Sequence, residues 1–111
     1  MSARNAQILV VSSDASVREV TGRWLTGRQI AWAQAASGGD AVNLVATGRF
    51  EMVLYHLVPT DYLDMGLFAR VRETPAGRSV TIHGLVRASD MASAPSFGSA
   101  LGIKKYFEIG V

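Results

Sequence analysis

The sequence predicts a doubly wound α/β domain. Two observations predict it: short apolar runs alternate with helix-like patterns along the whole chain, and no repeat, low-complexity tract or Pro/Gly/Ser-rich linker interrupts that order. Strict alternation requires parallel strands joined by right-handed crossovers, with helices on both faces of the sheet. At 111 residues the chain is one domain, residues 1–111, large enough for a single hydrophobic core.

The first run, Ile8-Leu9-Val10-Val11, is apolar at every position, as expected of a strand buried on both faces. Ser12-Ser13-Asp14 offers helix-capping side chains, with Asp14 the expected cap, and Ser16 with Glu19 has capping-box spacing. Val17, Val20, Trp24 and Leu25 then recur at helical intervals, and Gly27 is placed to end that helix. Residues 30–35 suit a second strand, and Ser37-Gly38-Gly39-Asp40 opens a second helix that Gly48 closes. Met52 to Leu57 is a third strand, stopped by Pro59. Leu67, Phe68 and Val71 mark a third helix that ends at Pro75-Ala76-Gly77. Val80 to Val86 is a fourth strand, weakened by Gly84. Residues 91–101 are a poor fourth helix, with Pro95 tolerable only near its first turn, and Ile103 to Ile109 form a fifth strand.

Composition narrows the function classes. With 49% apolar and 18% charged residues the chain is globular and not disordered. No apolar run approaches the roughly 18–20 residues that span a bilayer, and residues 1–7 lack the apolar stretch of a signal peptide. The absence of cysteine rules out disulfides and thiolate metal sites and fits a cytoplasmic location. The net charge is +2 and the basic residues are scattered apart from Lys104-Lys105, so no nucleic-acid footprint is indicated.

Five local words carry a resemblance. They are the stretch from Ile8 to Glu19 (Ile-Leu-Val-Val-Ser-Ser-Asp-Ala-Ser-Val-Arg-Glu), Ala36-Ser37-Gly38-Gly39-Asp40-Ala41, Phe50 to Pro59, Arg87-Ala88-Ser89-Asp90, and Gly102-Ile103-Lys104-Lys105-Tyr106-Phe107. In this order and spacing they resemble the CheY-like receiver domain of bacterial response regulators over essentially the whole chain. The resemblance implies a flavodoxin-like sheet of order 2-1-3-4-5 with its site beyond the carboxyl ends of strands 1 and 3. It implies aspartyl phosphoryl transfer: acidic residues after strand 1 hold Mg²⁺, an aspartate ends strand 3, and strands 4 and 5 supply a hydroxyl and a lysine.

At those positions the sequence departs from the pattern. The acidic pair falls on Ser12 and Ser13, with Asp14 one step on, and the acceptor falls on His56. The hydroxyl falls on Gly84 or Leu85, and the lysine on Ile109, followed by Gly110 where a proline is expected. The His56–Pro59 loop is one residue shorter than the family's spacing. A serine pair cannot replace two carboxylates around a divalent cation, so the expectation is a degenerate site without metal or other cofactor.

Several residues carry competing readings. His56 is either a phosphohistidine or general base, or a polar group at a strand end; the second is preferred because no carboxylate can be placed beside it. Asp14 with Asp61 or Asp64, or His56 with His83, would be partial metal sites, and two ligands are weak evidence. Ser37-Gly38-Gly39 lacks the lysine and glycine spacing of a phosphate loop and reads as a helix start. Trp24 and Trp32 read as packing between helix 1 and strand 2 in preference to an exposed pair. Tyr106 matches the family's aromatic switch position, and with Lys104 and Lys105 it forms a candidate partner-binding surface.

The expected function is that of a phosphorylation-independent pseudo-receiver, not an enzyme, that binds a protein partner or itself and neither nucleic acid nor membrane. The alternatives are a divergent phosphoacceptor and a receiver fragment of a longer regulator. The chain stops at Ile109-Gly110-Val111, where a receiver's fifth helix would begin, so an uncovered apolar strip beside helix 1 and a homodimer that hides it are also expected.

Overall fold

The computed structural model describes residues 7–47, 50–56, 70, 73, 80–92, 103 and 105–109. Five strands form one parallel sheet of order β2-β1-β3-β4-β5: β1 is Ile8–Val11, β2 Trp32–Ala35, β3 Met52–His56, β4 Thr81–Val86 and β5 Tyr106–Glu108. Helix α1 spans Ala15–Gly27 and α2 spans Gly38–Thr47. Of the expected third helix only Arg70 and Glu73 are described, both helical; Leu67, Phe68 and Val71 lie outside the described residues. Of the expected fourth, only Met91 and Ala92 are described, in a turn after a 3₁₀ segment at Ala88–Asp90.

The apolar first run lies where its composition requires. β1 pairs on both edges, with β2 and β3, and Leu9, Val10 and Val11 are at most 2% exposed. Alternate residues feed two cores. Leu9, Val11, Val53, Tyr55, Ile82 and Val86 pack with Ala41 and Val45 of α2. Val10, Leu54, Leu85 and Ile109 pack with Val17 and Leu25 of α1. The two helices therefore cover opposite faces, which is the doubly wound arrangement. Leu54, Leu85 and Ile109 are 5%, 5% and 6% exposed, so the uncovered strip expected on this face is not bare at these residues.

Several local expectations are corrected. Asp14 caps α1 as expected, accepting from the Ser16 amide at 2.9 Å, but the Ser16–Glu19 capping box does not form. Ser16 already lies inside the helix, and Glu19 pairs instead with Arg23. Gly27 does not end the helix. It remains helical, Arg28 is the C-cap, and Gln29 takes the left-handed conformation at φ 61°. The Ile30 amide returns to the Leu25 carbonyl (3.0 Å) and the Gln29 amide to the Thr26 carbonyl (2.9 Å), a Schellman ending sealed by apolar packing of Ile30 and Leu25 in one core.

Strand β2 starts at Trp32, not Ile30, because the two preceding residues complete that ending. The tryptophans also divide. Trp32 packs on α1, so close to Gly22 that a Cβ there would meet its ring at 2.1 Å, and its Nε1 donates to Thr26 Oγ1 at 3.0 Å. Trp24 is 53% exposed under the Arg28 guanidinium, 3.9 Å from the ring centroid. Gly84, read as a weak point of β4, is the seat of an aromatic ring: a Cβ there would lie 2.9 Å from Tyr106 Cδ1.

Candidate functional site

The carboxyl ends of three neighbouring strands converge with the start of α1. Ser12 follows β1, Asp14 caps α1, His56 ends β3 and Arg87 follows β4. Ser12 and His56 are both buried, and Ser12 Oγ lies 2.8 Å from His56 Nδ1. The same hydroxyl accepts from the Asp14 amide at 3.0 Å. A serine hydroxyl has one proton to give, and giving it to Nδ1 satisfies both atoms.

The surroundings disfavour the protonated ring. Burial, and after it the Arg87 cation, lower the His56 pKa from its ordinary 6.5, against smaller opposing effects of Asp14 and Asp90. Two carboxylates, Asp14 and Asp90, are thus within electrostatic range of His56. Asp14 is committed elsewhere. Its Oδ1 accepts from the Ser16 hydroxyl and amide, and its Oδ2 accepts from Arg87 Nη2 at 2.7 Å. Those bonds from Ser16, with help from Arg87, hold its carboxyl below the usual range. Arg18 adds a further tie, donating through Nη1 to the Ser12 carbonyl at 2.7 Å.

The remaining candidates fall around this group. Ser13 is exposed. Leu85 is the register partner of His56, and Gly84 pairs with Tyr55 on one side and Tyr106 on the other. Ile109 is buried, and its amide donates to the Val86 carbonyl at 2.8 Å. Tyr106 is half-buried, with its hydroxyl donating to the Ile103 carbonyl at 3.4 Å, and burial raises its pKa. Lys105 is exposed, while Lys104, Gly110, Asp61, Asp64 and the loop from Leu57 to Pro59 lie outside the described residues. His83 sits in β4 edge-on to Phe107, with Nδ1 buried and without a hydrogen bond among the described residues; it is not joined to His56.

Among the described residues the donor set does not fit Mg²⁺. That ion takes hard oxygen ligands, usually one or two carboxylates, whereas here two neutral hydroxyls follow β1 and Asp14 is bound to a guanidinium. Among the described residues no group of three His, Cys, Asp or Glu could hold a metal. Sequence reasoning missed Arg87 and Arg18. Arg87 carried one signal: it directly follows an apolar strand, at the sheet end where the resemblance places the site.

No protein-family model matches the chain, and no curated protein matches it. Solved structures do. The receiver domain of a sensor histidine kinase from Pseudomonas aeruginosa, with magnesium in its active-site cleft, is 19% identical at a TM-score of 0.77, covering 96% of this chain and 87% of that one. A putative response regulator from Chloroflexus aurantiacus is 27% identical at 0.75, covering 93% and 84%. The receiver domain of Ssk1 from Saccharomyces cerevisiae, crystallised with the histidine phosphotransfer protein Ypd1, is 16% identical at 0.74, covering 100% and 83%. In architecture, this chain is similar to the CheY-like receiver domains of response regulators.

Proposed function

We propose that the chain is a phosphorylation-independent receiver module that acts by binding a protein partner in two-component or related signalling. The single observation that carries this reading is the internal pairing of the site. Ser12 and His56 bond each other at 2.8 Å, and Asp14 bonds Arg87 at 2.7 Å. The groups at the metal and acceptor positions are therefore engaged within the protein. Partner binding is supported by the complex formed by the Ssk1 receiver domain, a protein of the same fold. Lys104, Lys105 and Tyr106 are the proposed contact residues, since exposed lysine beside an aromatic anchor suits an interface. Among the described residues no helix is long and apolar enough to cross a membrane.

The test is incubation with acetyl phosphate or phosphoramidate and Mg²⁺, followed by intact mass. The expected result is an unchanged mass, with no rise in Tm on adding Mg²⁺ alone at about 10 mM, where binding to the folded state would stabilise it. An adduct of one phosphoryl group that disappears in His56→Ala would replace this reading with that of a divergent phosphoacceptor.

A further inference from the structure

A second feature lies beside the paired site, in the crevice beyond the carboxyl end of β2. An open cleft of about 530 Å³ is bounded by Arg18 of α1, by Gln34 and Ala36 at the end of β2, and by Asp40, Asn43 and Leu44 of α2. Its volume falls within the roughly 300–1,000 Å³ of small-molecule pockets. Ala36 and Leu44 supply apolar surface, and the charged groups lining it are one cation and one anion. Arg18 is held in place: Nε donates to Gln34 Oε1 at 2.9 Å and Nη1 to the Ser12 carbonyl at 2.7 Å. A guanidinium has five N–H donors, so these two bonds fix its plane and leave donors for an incoming acceptor.

We propose that this cleft binds a small zwitterion of the α-amino-acid class, with Arg18 taking the carboxylate and Asp40 the ammonium group. A simple anion would meet Arg18 but also the Asp40 carboxylate, and a simple amine would meet the reverse. A ligand with both charges answers both walls, and Leu44 and Ala36 accept an aliphatic side chain. Asp40 also lies in the first turn of α2, where a negative charge favours the helix without any ligand. Its presence alone therefore carries no weight, and its lining one cleft together with an anchored guanidinium does. The cleft is joined to the neighbouring site through one side chain, since Arg18 holds the carbonyl of the residue whose hydroxyl bonds His56. Occupancy would thus be felt at Ser12. The inference does not depend on whether His56 accepts a phosphoryl group.

The experiment is an amide-resolved NMR titration of the full chain with L-leucine, L-glutamate and L-arginine, each to about 10 mM, where a ligand of millimolar affinity is near saturation. 4-Methylpentanoate, which is leucine without its ammonium group, and 3-methylbutylamine, which is leucine without its carboxylate, serve as the two halves. The expected result is saturable shifts at residues 34–36 and 40–44 and at Ser12 with at least one amino acid, with either half about tenfold weaker or worse. Asp40→Asn, a change on an exposed helix position, should weaken the amino acid about tenfold and leave 4-methylpentanoate unchanged or stronger. Arg18→Gln should abolish binding, with its folding checked by the dispersion of the same spectra. Three results would overturn the proposal: no saturable shift with any amino acid, equal binding of 4-methylpentanoate and leucine, or shifts centred away from the cleft.

Discussion

Ser12 and His56, from the ends of two adjacent strands, share a buried hydrogen bond of 2.8 Å, and the Ser12 oxygen also receives the Asp14 amide. One hydroxyl therefore satisfies a buried ring nitrogen and a backbone N–H at the start of α1. Removing it leaves both without a partner.

Ser12→Ala should lower stability by about 1–3 kcal/mol, the range for stranding a buried polar group. Ser13→Ala, at an exposed neighbouring position, should stay within about 0.5 kcal/mol. Urea unfolding of both variants checks the contrast. Equal effects would mean that the Ser12–His56 bond contributes nothing net.

Gly22→Ala should destabilise although alanine is the better helix former by about 1 kcal/mol. The new Cβ would fall 2.1 Å from the ring of Trp32, which is held through its Nε1 bond to Thr26. Overpacking of this kind costs about 1–3 kcal/mol, and a lower Tm is the expected reading. A higher Tm would show that Trp32 can move aside freely.

Glycine and glutamine at the end of α1 stand in each other's favoured places. Gln29 occupies the left-handed position where glycine is preferred, and Gly27 lies in the last helical turn with nothing within 4 Å of a Cβ. Gln29→Gly and Gly27→Ala should each stabilise by about 0.5–1 kcal/mol in thermal unfolding. A loss in either variant would contradict this account of the helix ending.

Both histidines titrate below their ordinary 6.5 in the folded protein, each chiefly through burial. The unfolded chain therefore binds protons first as the pH falls. Stability is fully present above about pH 6.5 and declines below it, down through the folded pKa values. Tm should fall between about pH 7.5 and pH 5.5, and the fall should be shallower in His56→Gln. A flat profile would show that burial does not disfavour the charged imidazoles.

The strands were legible because a buried parallel strand has an unmistakable composition: Ile8 to Val11 and Met52 to Tyr55 are apolar without a break. The Asp14 cap was legible for the same local reason. Arg87 was not, because its bond to Asp14 joins residues 73 positions apart, and nothing local distinguishes it from a solvated arginine. Gln29 was missed because glycine rules name the favoured residue and not the one that accepts the strain. Gly84 was misread because its role is set by Tyr106 on the next strand. At the site, the sequence named Ser12, Asp14 and His56 but could not show that they pair inward with one another and with Arg87.

The position of β1 also shapes how the chain reaches this structure. It pairs with β2 on one side and β3 on the other, both in parallel, and no two strands of the sheet are joined by a hairpin. Each parallel pairing requires a crossover between its strands. The entropy of closing each of those loops must be met before any strand contact rewards it, so the sheet has no inexpensive local nucleus. Before β3 pairs with it, that edge of β1 presents unpaired backbone groups to any other strand in solution. A segment that ends with Leu9 and Val10 at 0% exposure is therefore a template for association while its edges are unpaired.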